Sequence, residues 1–205
     1  MSAKGDCGKH GWNGEKLYRR LFGCLIGFII LILFIILIIW LVLRPTKPRF
    51  SLQDATVNYF NVTTPNLLSS NFQITIVSQN PNDRIGIYYD RLEVYASYRS
   101  QQITFRTAIP PNYQGHNDYS VWSPFLTGDR VPIAPFLAAD LSQEQNYGVA
   151  QVSVKMDGTV RWKVGAWTSG NYHIYVSCNA IVAFSQGAVN GKVSMQPGAR
   201  CYTDV

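Results

Sequence analysis

A run of 23 residues, Leu21 to Leu43, carries no charge and limits this chain more than any other feature. Nineteen of those residues are Leu, Ile, Phe or Val. At 1.5 Å per residue, a helix over the run is about 34 Å long and crosses a hydrocarbon core roughly 30 Å thick with some tilt. Moving nineteen such side chains into lipid is worth on the order of −6 to −11 kcal/mol. A helix on a soluble core needs one apolar stripe, not an apolar surface all round. A cleaved signal peptide has an apolar region of about 7–15 residues that ends at small residues. Here Trp40-Leu41-Val42-Leu43-Arg44-Pro45 offers no such site. Lipidation is unsupported as an alternative anchor, because residue 2 is Ser and the final CYTDV is not a prenylation box. The sequence therefore predicts an uncleaved, single-pass signal-anchor in a lipid bilayer. Residues 1–20 form a basic tail, 21–43 the membrane helix, 44–49 a spacer and 50–205 one folded domain.

Orientation follows from flanking cations. Lys4, Lys9, Lys16, Arg19 and Arg20 precede the run, against Arg44, Lys47 and Arg49 close behind it. That bias places the N-terminal tail in the cytosol and the large domain outside. Tyr18 and Trp40 stand where interfacial aromatics belong. Gly23 and Gly27 form a small-xxx-small pair that lets two helices approach closely, so a homo-oligomer through this face is one expectation. Cys7 and Cys24 are candidates for S-acylation, with inert thiols as the alternative. Half of the net charge of +6 sits in the tail. The outer part shows no lysine- or arginine-rich stripe, so nucleic acid is not an expected partner.

Beyond the spacer, whose two prolines favour an extended chain, the pattern changes to period two. Phe72, Ile74 and Ile76 alternate with polar residues, as do Leu92, Val94, Ala96 and Tyr98, and Tyr172, Ile174, Val176, Cys178 and Ala180. These read as half-buried strands. Val152 to Met156, then Asp157-Gly158, then Val160 to Val164 reads as a hairpin with an Asp-Gly turn. Only Pro135 to Asn146 resembles a helix, with proline near its start and Leu137 and Leu141 four apart. Many short strands and one short helix point to a mainly β fold, a β-sandwich.

Cys178 falls on an apolar strand face and Cys201 lies near the last strand. On the oxidising side of a membrane these two can pair; a disulfide is the favoured reading, two buried thiols the alternative. Asn61-Val62-Thr63 is the only N-x-S/T triplet free of proline and is usable if the domain enters the secretory lumen. His116 and His173 show no metal-ligand spacing. No G-x-S-x-G, P-loop, H-E-x-x-H or dinucleotide-binding pattern occurs. The expectation is a non-enzymatic protein without cofactor or metal. The many tyrosines and tryptophans read mostly as core and sheet surface, with a protein- or carbohydrate-recognition face as the functional alternative.

Several segments together resemble the plant family of harpin-induced and non-race-specific-disease-resistance-like proteins. The outer part of that family is a late embryogenesis abundant group 2 domain. The similarity lies in Pro45 to Val57 (PTKPRFSLQDATV), in Asn80-Pro81-Asn82 followed by Ile85 to Asp90 (IGIYYD), and in Pro110 to His116 (PPNYQGH). Val160 to Gly165 (VRWKVG), and Tyr172-His173 leading to Cys178 with the closing Cys201, complete it. The resemblance implies an immunoglobulin- or fibronectin III-like sandwich at the plasma membrane. It also implies a role in pathogen response through unidentified defence-signalling proteins or cell-wall contact, and no catalytic site. Asn80, Pro81, Asn82, Tyr88, Tyr89 and Asp90 are the motif residues it singles out. Asn80-Pro81-Asn82 suits a tight turn whose side chains bond nearby backbone, and Tyr88-Tyr89-Asp90 suits packing of the next strand. Gln186 to Arg200, rich in Gly and small polar residues, looks looser than the strand pair usual in the family. A stress-protective or lipid-handling module is the competing reading; it predicts an apolar groove between the sheets.

Overall fold

A computed structural model describes residues 12–42, 45–63, 65–184, 191–194 and 200–205. The tail with Lys4, Cys7 and Lys9, together with Leu43, Arg44 and most of Gln186 to Arg200, lies outside the described residues. The chain divides into two units, residues 1–44 and 45–205. In the first, helix α1 spans Trp12–Val42. Its stretch Tyr18–Ile38 is long and apolar enough to cross a membrane, and none of it is buried against protein. Gly23 and Gly27 face open space, and Cys24 is exposed with a free thiol.

The second unit is mainly β. In chain order it runs β1 (Arg49–Thr63), β2 (Leu67–Gln79), β3 (Gly86–Tyr98), β4 (Gln101–Gln102), β5 (Thr107–Ile109), β6 (Asn112–Gln114), β7 (Tyr119–Trp122) and β8 (Phe125–Pro132). Helix α2 (Pro135–Tyr147) is followed by β9 (Val149–Val164), β10 (Trp167–Thr168), β11 (Tyr172–Phe184), β12 (Gly191–Ser194) and β13 (Tyr202–Asp204). One sheet is built on β3, β9 and β11, with β4, β5 and β6 on the free edge of β3 and β13 on β11. The other is β1 and β2, with β7 and β8 beyond β2. Strand β12 pairs with both β11 and β1 and so joins the two sheets. Their inner faces meet through Ala55, Phe72, Ile74 and Leu126 on one side and Ala96, Val152, Val154 and Ala180 on the other. This is the β-sandwich that the sequence predicts.

The three alternating runs are strands with their apolar residues inward, Phe72, Ile74 and Ile76, Leu92 to Tyr98, and Ile174 to Ala180, except that Tyr172 at the start of the third is half exposed. In β1 the inward residues are Phe50, Leu52, Ala55, Val57 and Phe60, because irregularities at Leu52/Asp54 and Val57/Tyr59 each insert an extra residue. The short helix is present, with Pro135 in its first turn, Leu137 and Leu141 buried, and Gly148 ending it at φ 83°.

The expected Asp-Gly hairpin does not form. Residues 149–164 are one unbroken strand, with Asp157 opposite Glu93 and Tyr175, and Gly158 opposite Leu92 and Ile174. Gly158 serves a different need. A Cβ at this position would lie 1.9 Å from the Arg91 carbonyl oxygen, where β3 bulges at Tyr89/Arg91. The residue is glycine because a neighbouring backbone passes through the space a side chain would fill.

Candidate functional site

Asn80 and Asn82 form a buried knot at one pole of the sandwich. The Asn80 side-chain amide donates to the carbonyls of Ile85 (2.7 Å) and Gly115 (2.8 Å). Its Oδ1 accepts from the Asn82 backbone N–H (3.1 Å) and side-chain amide (2.8 Å). Asn82 in turn holds both polar groups of the Thr46 backbone: Oδ1 accepts from the N–H and Nδ2 donates to the carbonyl, each at 2.8 Å. Only an amide, with a donor and an acceptor side by side, completes that pairing. Thr46 belongs to the spacer, so the motif ties that segment to the domain. Lys47 adds an exposed pair with Asp204.

Deeper on the same side, the Tyr89 hydroxyl meets Ser78 Oγ and Gln114 Oε1, both at 2.8 Å. Gln114 Nε2 donates to the carbonyls of Ser78 and Asp118 at 2.8 Å. Burial pushes the Tyr89 phenol up, and the Ser78 hydrogen bond offsets part of that. Tyr88 and Asp90 point outward instead. Asp90 accepts two bonds of 2.6 Å from Arg161, which hold its carboxyl below the usual range. Tyr88 packs on Tyr113 with ring centroids 4.6 Å apart, and Lys163 lies over both rings. The motif that sequence treats as one string thus divides between a buried lock and an outer aromatic patch.

The same outer sheet face carries a polar depression of about 490 Å³. Tyr98, Arg99 and Ser100 line it from the β3–β4 turn, Glu144 from α2, and Gln151, Ser153, Lys155, Tyr175 and Ser177 from β9 and β11. Arg99 pairs with Asp140 and, at 3.0 Å, with Glu144. The Tyr98 hydroxyl and Glu144 Oε2 are buried and lack a hydrogen bond of normal geometry. Burial first, then the hydrogen-bonding reach and the charge of the adjacent Glu144 carboxylate, push the Tyr98 phenol up to about 12. In the sequence Tyr98 reads only as a strand residue and Tyr175 only as one of many aromatics; the others carry no site signal. The lining residues come from four separate segments, and no local pattern links them before the strand register does.

Cys178 and Cys201 are bonded in the structure, with Cα atoms 4.4 Å apart; Cys201 sits one residue before β13. Asn61 is exposed near the end of β1 and contacts Tyr59. Among the described residues no three His, Cys, Asp or Glu side chains gather as metal ligands.

Residues 75–180 match the family model described as late embryogenesis abundant protein. The chain is 58% identical over 184 residues to NDR1/HIN1-like protein 12 of Arabidopsis thaliana, covering 89% of this chain and 88% of that protein. It is 55% identical over 190 residues to NDR1/HIN1-like protein 1 of the same plant, covering 92% and 90%. A solution structure of an Arabidopsis thaliana protein overlaps 68% of this chain and 83% of its own at 11% identity and a TM-score of 0.38; the architecture rests on the strand pairing, not on that overlap. Sequence identity over nearly the full length of both proteins, with the matched domain spanning the core of the sandwich, places this chain in the NDR1/HIN1-like family.

Proposed function

We propose that the protein is a membrane-anchored, non-enzymatic component of the plant defence response, acting through contacts that its outer domain makes with other proteins or with the cell wall. The observation that carries this reading is the union in one chain of the apolar stretch Tyr18–Ile38 and a sandwich whose outer sheet face presents ordered aromatic and cationic side chains. The names of the relatives point the same way. The lipid-handling alternative needs room between the sheets. The space there is about 10 Å³, close to the minimum for one water molecule and far too small for an acyl chain.

The proposed location is the plasma membrane, with the tail cytosolic and residues 50–205 outside. On that side the Cys178–Cys201 bond persists and Asn61 accepts a glycan. Protease added to intact protoplasts is expected to digest the C-terminal domain and spare an N-terminal tag. Removal of glycans is expected to speed wild-type protein on a gel and leave Asn61→Gln unchanged. Digestion of the N-terminal tag alone overturns the topology. A full-length copy that fails to restore a defence response in plants lacking the protein overturns the function.

A further inference from the structure

Four side chains in the depression on the outer sheet face, Gln151, Lys155, Tyr175 and Ser177, make no hydrogen bond or ion pair among the described residues. Elsewhere on that face the charged side chains are paired: Arg106 with both Glu93 and Asp157, and Asp90 with Arg161. Strand register explains the grouping. Lys155 stands opposite Tyr95 on β3 and Ser177 on β11, and Ser177 stands opposite Tyr202 on β13. Opposite residues share a face, and strands lie about 4.8 Å apart, so the row from Tyr95 to Tyr202 spans about 14 Å. It reads aromatic, ammonium, hydroxyl, aromatic. At the helix side of the depression lie the buried Tyr98 hydroxyl and Glu144 Oε2, close to each other but without a well-aligned hydrogen bond. The turn above them holds Arg99 and Ser100 at φ 42° and 72°. Two-residue turns of this kind normally use Asn-Gly, so the backbone at Arg99 and Ser100 is strained.

We propose that this depression is a binding site for a short oligosaccharide bearing a carboxylate. The Lys155 ammonium meets the acid. Ser177 and Gln151 bond ring hydroxyls, and Tyr175 packs on a sugar face. A further hydroxyl, admitted when the half-exposed Arg99 side chain moves, accepts from Tyr98 and donates to Glu144, which completes both groups. Other ligands fit less well. A peptide anchors through apolar side chains in apolar pockets, and this depression is lined by hydroxyls, an amide and charges. A phosphate is best held by a free guanidinium fork, and the Arg99 fork is occupied by Asp140 and Glu144. The proposal rests on the wall-contact reading only for where the ligand is met.

The test is calorimetric titration of the full-length protein in lipid nanodiscs with tetragalacturonate and, separately, neutral cellotetraose. Saturable binding of the acidic tetramer is expected, with weaker binding of the neutral one. Lys155→Gln is expected to weaken acid binding about tenfold to a hundredfold, the worth of a hydrogen bond to a charged group. Tyr98→Phe is expected to weaken it severalfold. Arg130→Gln, on β8 of the other sheet, makes the same charge change away from the depression and leaves affinity unchanged. Absence of saturable binding, or equal losses from Lys155→Gln and Arg130→Gln, overturns the site. Neither result depends on orientation in a cell, so a failed site and a failed topology are told apart.

Discussion

Tyr89 and Tyr98 stand nine residues apart on β3, and each is 1% exposed. Their hydroxyls are treated differently. Tyr89 is bound by Ser78 and Gln114, and Gln114 is bound in turn by two backbone carbonyls. Each of these three side chains is bonded within the chain. Tyr98 has none of normal geometry, although the Glu144 carboxylate is near. A buried hydroxyl without a partner costs about 1–3 kcal/mol. One end of the strand is therefore finished by folding alone, and the other is left incomplete beside a depression open to solvent. The first arrangement fixes shape; the second leaves a place for something from outside.

Strand β9, which pairs with β3 along its length, offers the harshest way to break this contrast. Gly158→Ala puts a Cβ onto the Arg91 carbonyl, where backbone rather than a flexible side chain must yield. A loss of about 3 kcal/mol or more is expected in denaturant unfolding, together with loss of oligosaccharide binding. Unchanged stability would mean that β9 does not run straight past the β3 bulge. The tyrosines themselves sharpen the contrast. Tyr89→Phe removes one hydrogen bond each from Ser78 and Gln114, which keep a longer one to each other, and is expected to cost about 1–3 kcal/mol. Tyr98→Phe removes a hydroxyl without a well-aligned partner and is expected to leave the unfolding midpoint level or slightly raised. Equal losses from the two variants would erase the distinction.

The smallest effect concerns alkaline pH. Both phenols are raised in the folded state, so the unfolded chain releases these protons first, near pH 10. The contribution of each is fully present below pH 10 and is lost as pH rises through its folded value, about 12 for Tyr98. Tyr98→Phe is expected to flatten the fall in melting temperature above pH 10 by the share of one group, and Tyr89→Phe by another. A slope unaltered in both variants would count against burial as the cause.

The alternation of Leu92, Val94, Ala96 and Tyr98 was enough to find β3, because an undisturbed strand repeats every two residues. In β1 two extra residues break the count, so Phe50, Leu52, Ala55, Val57 and Phe60 do not look like one face until the bulges are known. Asp157-Gly158 misled for a more general reason. Glycine is selected both where a chain turns and where another chain passes close, and sequence does not separate the two. The Asn80 motif was legible as a turn that bonds nearby backbone. Its grip on Thr46, 36 residues away, was not. The depression was the least legible of all, because strand register brings Tyr98, Lys155 and Ser177 together and the packing of α2 adds Glu144.

The bond between Asn82 and Thr46 also has a mechanical side. Force passed along the chain from α1 reaches Thr46 and Lys47 first, where Asn82 and Asp204 share it. It then enters β1 at its beginning. That strand is paired with β2 at thirteen positions from Arg49 to Thr63. A pull along the strand axis strains these pairings together, in shear, whereas a pull across it would peel them one after another. Strand β12 passes part of the tension to β11, the strand that carries Tyr175 and Ser177. A tether at one end and a grip on the outer face at the other would thus be joined by hydrogen-bonded backbone for most of the way.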